Sequence, residues 1–204
     1  GPAYLFYLVE AGAQFQPDAH SQNWHLYPGI EFKPASNISL RVGPGYEEMR
    51  EYAQYVNTYT NPGSIDTYGA DYVFAALEQR QISANIRLNW AFTPALSLQF
   101  FGQPLIAIGQ YTNYKSLAKP NTFDFTPYPT ADGTDNFNVT SLLGNAVLRW
   151  EYRPGSAFYL VWSHNRYDDQ PIGENFDFAA SRSHLWSLDA NNVFLAKFTY
   201  YFNL

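Results

Sequence analysis

The stretch LNWAFTPALSLQF, residues 88–100, decides the fold, because it places a proline turn between two segments of alternating character. Its central FTPALSL resembles FKPASNISL at 32–40 and YRPGSAFYL at 152–160, so an aromatic-x-Pro signal recurs every 60 residues. Proline cannot donate a hydrogen bond to a sheet, and it presets the backbone for a bend. We therefore predict three short turns, each of which ends one strand and lets the next begin.

The residues on both sides of each turn alternate between apolar and polar side chains. Before the second turn the polar positions are Ser83, Asn85, Arg87 and Asn89. The apolar positions between and beside them are Ile82, Ala84, Ile86, Leu88, Trp90 and Phe92. A period of two is typical of a β-strand with two unlike faces. Similar alternation around the other two turns predicts a sheet with one apolar and one polar face.

The whole chain divides into eight predicted strands joined by connections of alternating length. The strands lie near 4–15, 24–33, 38–48, 78–92, 96–112, 138–152, 156–166 and 192–203. Proline turns join them at one end, and long polar and aromatic segments at 46–74, 111–137 and 167–192 join them at the other. This layout is typical of outer-membrane barrels. We predict a single all-β domain over 1–204, an antiparallel up-and-down transmembrane β-barrel of about eight strands or the last part of a larger barrel.

The composition limits the classes of function that remain. A net charge of −6 argues against nucleic acid as a partner, because phosphate binding needs a basic face. Cysteine is absent, so neither a disulfide framework nor cysteine-bound metal is expected. The aromatic share of 19% exceeds what a soluble core needs, although the mean hydropathy is only −0.33. A barrel in a membrane reconciles these values, since only every second residue of each strand faces lipid.

This arrangement predicts roles for three groups of residues. Polar side chains that point into the barrel are expected to pair with one another: Glu31, Lys33, Arg41, Arg87, Arg149 and Glu151. Rings near the short turns are expected to form an aromatic girdle: Trp24, Phe32, Trp90, Phe92, Trp150 and Tyr152. The last strand ends on apolar residues like the insertion signal of outer-membrane proteins: Tyr200, Phe202 and Leu204.

Three stretches of the chain carry a resemblance to a known family. They are GNAVLRWEYRPGSAFYLVWSHNR at 144–166, the segment from YVFAALEQRQ to KPNTFDF at 72–125, and the closing NVFLAKFTYYF. Over roughly 38–204 the chain resembles the C-terminal barrel region of the bacterial domain of unknown function 5916 family. The resemblance implies an outer-membrane barrel that follows a carbohydrate-binding-like domain of family nine. This chain shows no such domain, so the resemblance implies barrel architecture and location but not sugar binding.

The leading hypothesis is a protein of the bacterial outer membrane with a structural, anchoring or transport role. It predicts no catalytic residue, no cofactor and no metal, and the lipid bilayer as partner. Aromatic residues of the long connections could contact extracellular glycans or other surface proteins. One alternative is a soluble β-barrel that binds a small apolar ligand. Another is a hydrolase at the rim that uses His164 with Ser163, Asp168 and Asp169.

Overall fold

The computed structural model describes residues 4–16, 20–169 and 176–202. In these ranges the chain forms one antiparallel sheet of nine strands. The strands are β1 (Tyr4–Gln16), β2 (Ser21–Ala35), β3 (Ile38–Thr60), β4 (Ala70–Thr93), β5 (Leu96–Leu117), β6 (Phe125–Pro127), β7 (Phe137–Arg153), β8 (Ser156–Asp168) and β9 (Asn191–Thr199). One helix, α1 (Phe178–Ser187), and a 3-10 turn at Ile65–Thr67 complete the secondary structure of the described ranges.

Each long strand pairs with its neighbour along the chain. The order across the sheet is β1-β2-β3-β4-β5-β7-β8-β9, and the short β6 pairs with the end of β5 beyond the part that β7 covers. All pairings are antiparallel. The predicted all-β antiparallel meander is therefore confirmed, and each of the eight predicted strands is present.

The predicted closure of these strands into a barrel is not observed in the described residues. There β1 pairs only with β2 and β9 pairs only with β8, so the sheet is open at both edges. Alternation within a strand determines the face that each side chain occupies, because successive side chains point to opposite sides. It contains no information about which distant strands meet, and closure depends on that.

The ends of the sheet differ as the sequence predicts. Two-residue turns at 36–37, 94–95 and 154–155 join strands at one end, which we call the short-turn end. Gly155 adopts a left-handed backbone with φ +76°, a conformation that glycine takes without steric cost. The four longer connections all lie at the opposite end, the long-loop end, because consecutive antiparallel strands reverse direction.

The prediction of a long connection over 46–74 is wrong, since most of this segment is strand. β3 continues to Thr60 and β4 begins at Ala70, so only nine residues separate them. The charged residues that suggested a loop pair across the strands instead. Arg50 contacts Glu48 at 2.9 Å and Glu78 at 3.1 Å. Opposite charges on neighbouring strands stabilise a sheet, so polar composition here does not end the hairpin.

The connection over 167–192 contains a helix that strand periodicity did not predict. Asp177 begins α1, and its side chain accepts hydrogen bonds from the backbone N–H groups of Ala179 and Ala180. Such capping satisfies donors that a helix leaves free at its first turn. Leu185 is buried against the sheet, and Ser181 accepts a hydrogen bond of 2.7 Å from Asn138 of β7. The helix thus lies over β5, β7 and β8 at the long-loop end.

The most buried apolar residues also lie at the long-loop end. Val73, Ala75 and Tyr114 form a cluster, against which Val56, Tyr111 and Tyr128 pack. Among the described residues, no comparable cluster covers the apolar face in the middle of the sheet, where many large side chains are exposed. No helix in the described part of the chain has the length and apolar character needed to cross a membrane.

Candidate functional site

One face of the sheet carries a continuous band of apolar side chains. Cross-strand pairing connects one residue from each of eight strands into a single row: Leu5, Phe32, Leu40, Leu88, Phe100, Ala146, Trp162 and Phe194. The flanking rows on this face are also largely apolar, and together they form what we call the apolar band. At the sheet edges Leu5 is 63% exposed and Phe194 is 68% exposed. The band is therefore an open surface rather than a protein core.

The apolar band has a different border at each end. Towards the short turns it ends in rings, with Trp90 beside Phe92 at 4.3 Å and Phe158 beside Phe198 at 4.6 Å between ring centroids. Towards the long loops it ends in the four-membered ion cluster of Glu48, Arg50, Glu78 and Arg80. On β4 the change from charged to apolar side chains occurs between Arg80 and Ile82, which are successive residues on that face.

The predicted girdle residues do not all lie at one end of the sheet. Four of them, Trp90, Phe92, Trp150 and Tyr152, lie at the short-turn end, where the rings of Trp150 and Tyr152 are 6.0 Å apart. Phe32 lies in the central row, opposite Leu40. Trp24 instead lies at the far end of β2, opposite Glu48 and against the ring of Tyr46 at 5.0 Å. The spacing of eight residues between Trp24 and Phe32 already implies this separation, because each residue advances a strand by about 3.3 Å.

The end of the chain follows the short-turn end of β9. The rings of Tyr200 and Phe202 lie 4.4 Å apart, and both side chains are at least half exposed. Leu204, the last residue of the predicted insertion signal, lies outside the described residues.

The opposite face, which we call the polar face, holds the six predicted interior residues. Five of them form two separate groups instead of one network. Glu31 contacts Lys33 at 3.0 Å and Arg41 at 2.9 Å, and it also accepts a hydrogen bond from Ser39. Four strands away, Arg149 and Glu151 pair at 2.6 Å. Register decides this division, since Arg149 lies in a row with Ser97 and Tyr159 rather than beside Glu31.

The sixth predicted residue, Arg87, has no acidic partner among the described residues. It lies directly opposite Arg41 across the β3-β4 pair, so two cations are neighbours on the sheet. Its guanidinium contacts the ring of Phe101, its opposite neighbour on β5, at 5.3 Å from the centroid. Sequence reasoning predicted the face of Arg87 but not this pairing, which depends on the register of β3 against β4.

Grooves of the sheet lie mainly on the polar face. One groove of about 640 Å³ extends from Tyr4 on β1 to Gln99 on β5, past Lys33, Ser39 and Asn89. A second, of about 440 Å³, is lined by Arg87, Asn89, Gln99, Phe101, Asn145 and Val147, with Phe100 at its edge. A groove shared by strands that are not neighbours indicates that the sheet curves towards its polar side. The polar face is therefore concave.

The residues of the possible rim hydrolase are not brought together. His164 contacts Asn192 at 2.9 Å on the apolar side, whereas Ser163 points to the polar face. Asp168 instead binds Nε2 of His184 at 2.5 Å, which links β8 to α1. In the described ranges no group of three or more His, Cys, Asp or Glu side chains could hold a metal ion.

Several aromatic residues at the long-loop end pack on one another. Tyr59 stacks on Tyr128 at 5.9 Å, and Phe74 meets Phe125 at 5.4 Å. Lys115 lies among these rings, with its amine 3.1 Å from the centroid of Tyr52, and burial lowers its pKa to about 8. Other rings remain open to contact from outside: Tyr68, Phe123 and Trp186.

Comparison with known proteins gives one match. The model of a family described as domain of unknown function (DUF5916) matches residues 9–204. No curated protein and no solved structure matches the chain. Since the matched region covers nearly all of the sequence, from within β1 to the last residue, the chain belongs to the DUF5916 family.

Proposed function

We propose that the chain forms the wall, or part of the wall, of a β-barrel in the bacterial outer membrane, with a structural, anchoring or transport role. The apolar band carries this proposal. On β4 it extends over the eleven residues from Ile82 to Phe92, with an apolar side chain at every second position. About 9–11 residues of a tilted strand span the hydrocarbon core of a bilayer. The band therefore has the dimension that a lipid-facing surface requires.

The borders of the band support the same proposal. Aromatic rings such as Trp90 and Trp150 are enriched at membrane interfaces, where their apolar bodies contact lipid and their polar atoms contact water. At the opposite border of the band, the ion cluster puts Arg50 and Arg80 at the level where the hydrocarbon would end. Soluble monomers rarely expose contiguous apolar patches of more than a few hundred square ångströms. A band that crosses eight strands covers a larger area than this.

The polar, concave face supports a barrel interior. It carries Arg87, Asn89, Gln99 and Asn145 along its grooves, and a ligand without polar groups would leave these side chains buried without hydrogen-bond partners. This lining favours the membrane hypothesis over a soluble barrel that encloses a small apolar molecule.

The proposal requires that both edges of the sheet become paired. Unpaired backbone groups in hydrocarbon cost several kcal/mol each, so a spanning sheet must have no free edge. The open edges of β1 and β9 would pair with each other or with further strands of a larger barrel. At the long-loop end, the exposed rings of Tyr68, Phe123 and Trp186 are the candidates for contact with glycans or other surface proteins.

The test is whether the purified chain needs detergent to remain monomeric and whether its migration on a gel changes with heating. A folded membrane barrel resists unfolding by gel detergent until it is heated, so unheated and heated samples should migrate differently. A chain that remains monomeric and folded without detergent would contradict the proposal, because the apolar band would then tolerate water. Conductance in planar bilayers then distinguishes a transport role from an anchoring role.

A further inference from the structure

The strongest unexplained feature of the polar face is the pair of opposed cations, Arg41 and Arg87. Like charges directly opposite one another on neighbouring strands destabilise a sheet. Arg41 is compensated by Glu31, to which its Nη2 atom donates at 2.9 Å. Arg87 has no carboxylate within reach in the described part of the chain, and its side chain is exposed on the concave side. Ion pairing within the described part of the fold therefore gives no reason for a cation at position 87.

The ring of Phe101 holds the guanidinium of Arg87 at one side of a groove. A cation over an aromatic face is attracted by the ring quadrupole, which limits the orientations of the side chain. A guanidinium presents five N–H donors in a rigid fork that matches the geometry of a carboxylate or phosphate. The contact of Arg87 with Phe101 leaves the N–H donors of this fork available to an anion.

The groove around Arg87 has the size and lining of a site for a small molecule. Its volume of about 440 Å³ lies within the range of ligand pockets. Phe101 and Val147 provide an apolar wall, while Asn89, Gln99 and Asn145 provide amides. No hydrogen bond within the described ranges uses these three amide side chains. They are therefore free to donate to or accept from a ligand.

The charge around the groove also favours an anion. We counted the charges on the polar face from the short-turn end up to the row that contains Arg87. This region holds five cations but only two carboxylates, a surplus of three positive charges. The cations are Lys33, Arg41, Arg87, Arg149 and Lys197, and the carboxylates are Glu31 and Glu151. The whole chain has a net charge of −6, so this surplus is a local property of one region. Charge of one sign in a concave surface raises the local concentration of the opposite ion.

We propose that this groove is a binding site for a small organic anion with a flat apolar body. Arg87 binds the anionic group with a bidentate contact, and Arg41 adds a second positive charge from the opposite strand. The body of the ligand lies against Phe101 and Val147, and the amides of Asn89, Gln99 and Asn145 contact its polar edge. The chemistry is shared by carboxylates and phosphate esters. The inference uses only the polar face and does not rest on a membrane location.

Binding is tested by calorimetric titration of the folded chain, in detergent if it needs detergent, with four probes. Benzoate and phenyl phosphate carry both the ring and the charge, benzamide lacks the charge, and inorganic phosphate lacks the ring. We expect saturable binding of benzoate or phenyl phosphate, with the tighter of the two identifying the anionic group. Benzamide and inorganic phosphate should each bind about tenfold more weakly, because each loses one of the two contacts.

Variants assign the binding to the groove. R87Q should weaken the better probe by about tenfold or more, and F101L should weaken that probe more than it weakens inorganic phosphate. R182Q is the matched control, since it removes the same charge from an exposed position of α1 and should have no effect. Removing one of two opposed cations should not unfold the sheet, and circular dichroism verifies this. Equal binding by R87Q and the wild type, equal binding of benzamide and benzoate, or no saturable binding of any probe would each overturn the inference.

Discussion

Replacement of Leu88 by arginine tests the orientation of the sheet more directly than any other change. Leu88 lies near the middle of the apolar stretch of β4, between Leu40 and Phe100 on the neighbouring strands. If this face contacts lipid, the substitution places a charge near the bilayer midplane. Arginine at that depth on the lipid face of a barrel costs about 2–4 kcal/mol. The folding equilibrium would then change by about 30-fold or more, since each 1.4 kcal/mol is tenfold.

The matched control introduces the same residue on the other face, three residues closer to the long loops than the row of Leu88. Asn165 on β8 is exposed on the polar face, and its row across the sheet contains Leu143 and Gln103. N165R should change the free energy of unfolding by less than about 0.5 kcal/mol, as is usual for surface positions. Asn85→Leu, also on the polar face, should be tolerated far better than Leu88→Arg.

The assay is equilibrium unfolding in guanidinium of the chain folded into lipid vesicles, followed by tryptophan fluorescence. The free energy of unfolding of each variant is obtained by linear extrapolation to zero denaturant. A penalty for Leu88→Arg below about 0.5 kcal/mol, or one that Asn165→Arg equals, would refute the assignment of the apolar band to lipid.

Three further predictions concern the two ends of the sheet. Leu185→Ala should cost about 2–5 kcal/mol, because the side chain is 2% exposed, and hydrogen exchange of α1 should rise, whereas Arg182→Ala should leave exchange unchanged. Glu31→Gln leaves Lys33 and Arg41 without their carboxylate, so the melting temperature should fall at low salt and the loss should shrink at high salt. Lys115 has a folded pKa of about 8, below its unfolded value, so the unfolded chain binds more protons between these values and stability should rise with pH through that window. Lys115→Met should abolish this rise in melting experiments between pH 7.5 and 10, and a rise of equal size in both proteins would contradict the assignment.

The sequence was most informative where one residue type had a single local consequence. Proline and small residues at 34–37, 94–95 and 154–156 predict the short turns, and the structure confirms all three. Alternation predicted the faces of β4 correctly along its length from Ile82 to Phe92. It was least informative at the long-loop end, where charged residues continue as paired strands and where the helix α1 interrupts the pattern.

The charged residues of the polar face show how far the sequence could predict the candidate site. Each of its six predicted charges lies on the predicted face, because the period of two assigns faces without reference to neighbours. Which charges meet is decided by register. A slip of one residue would move every side chain of a strand to the other face, and a slip of two would change its partners. The opposition of Arg41 and Arg87, and the contact of Arg87 with Phe101, exist only in the observed register.

The sequence by itself determined the strands, the short turns and the separation of apolar from polar side chains, since these follow from backbone geometry over a few residues. The tertiary structure decided the extension of the β3-β4 hairpin, the position of α1, the division of the charges into two groups and the open edges of β1 and β9. These features depend on contacts between residues far apart in the chain, such as Arg50 with Glu78 and Asn138 with Ser181. Local periodicity carries no record of such contacts.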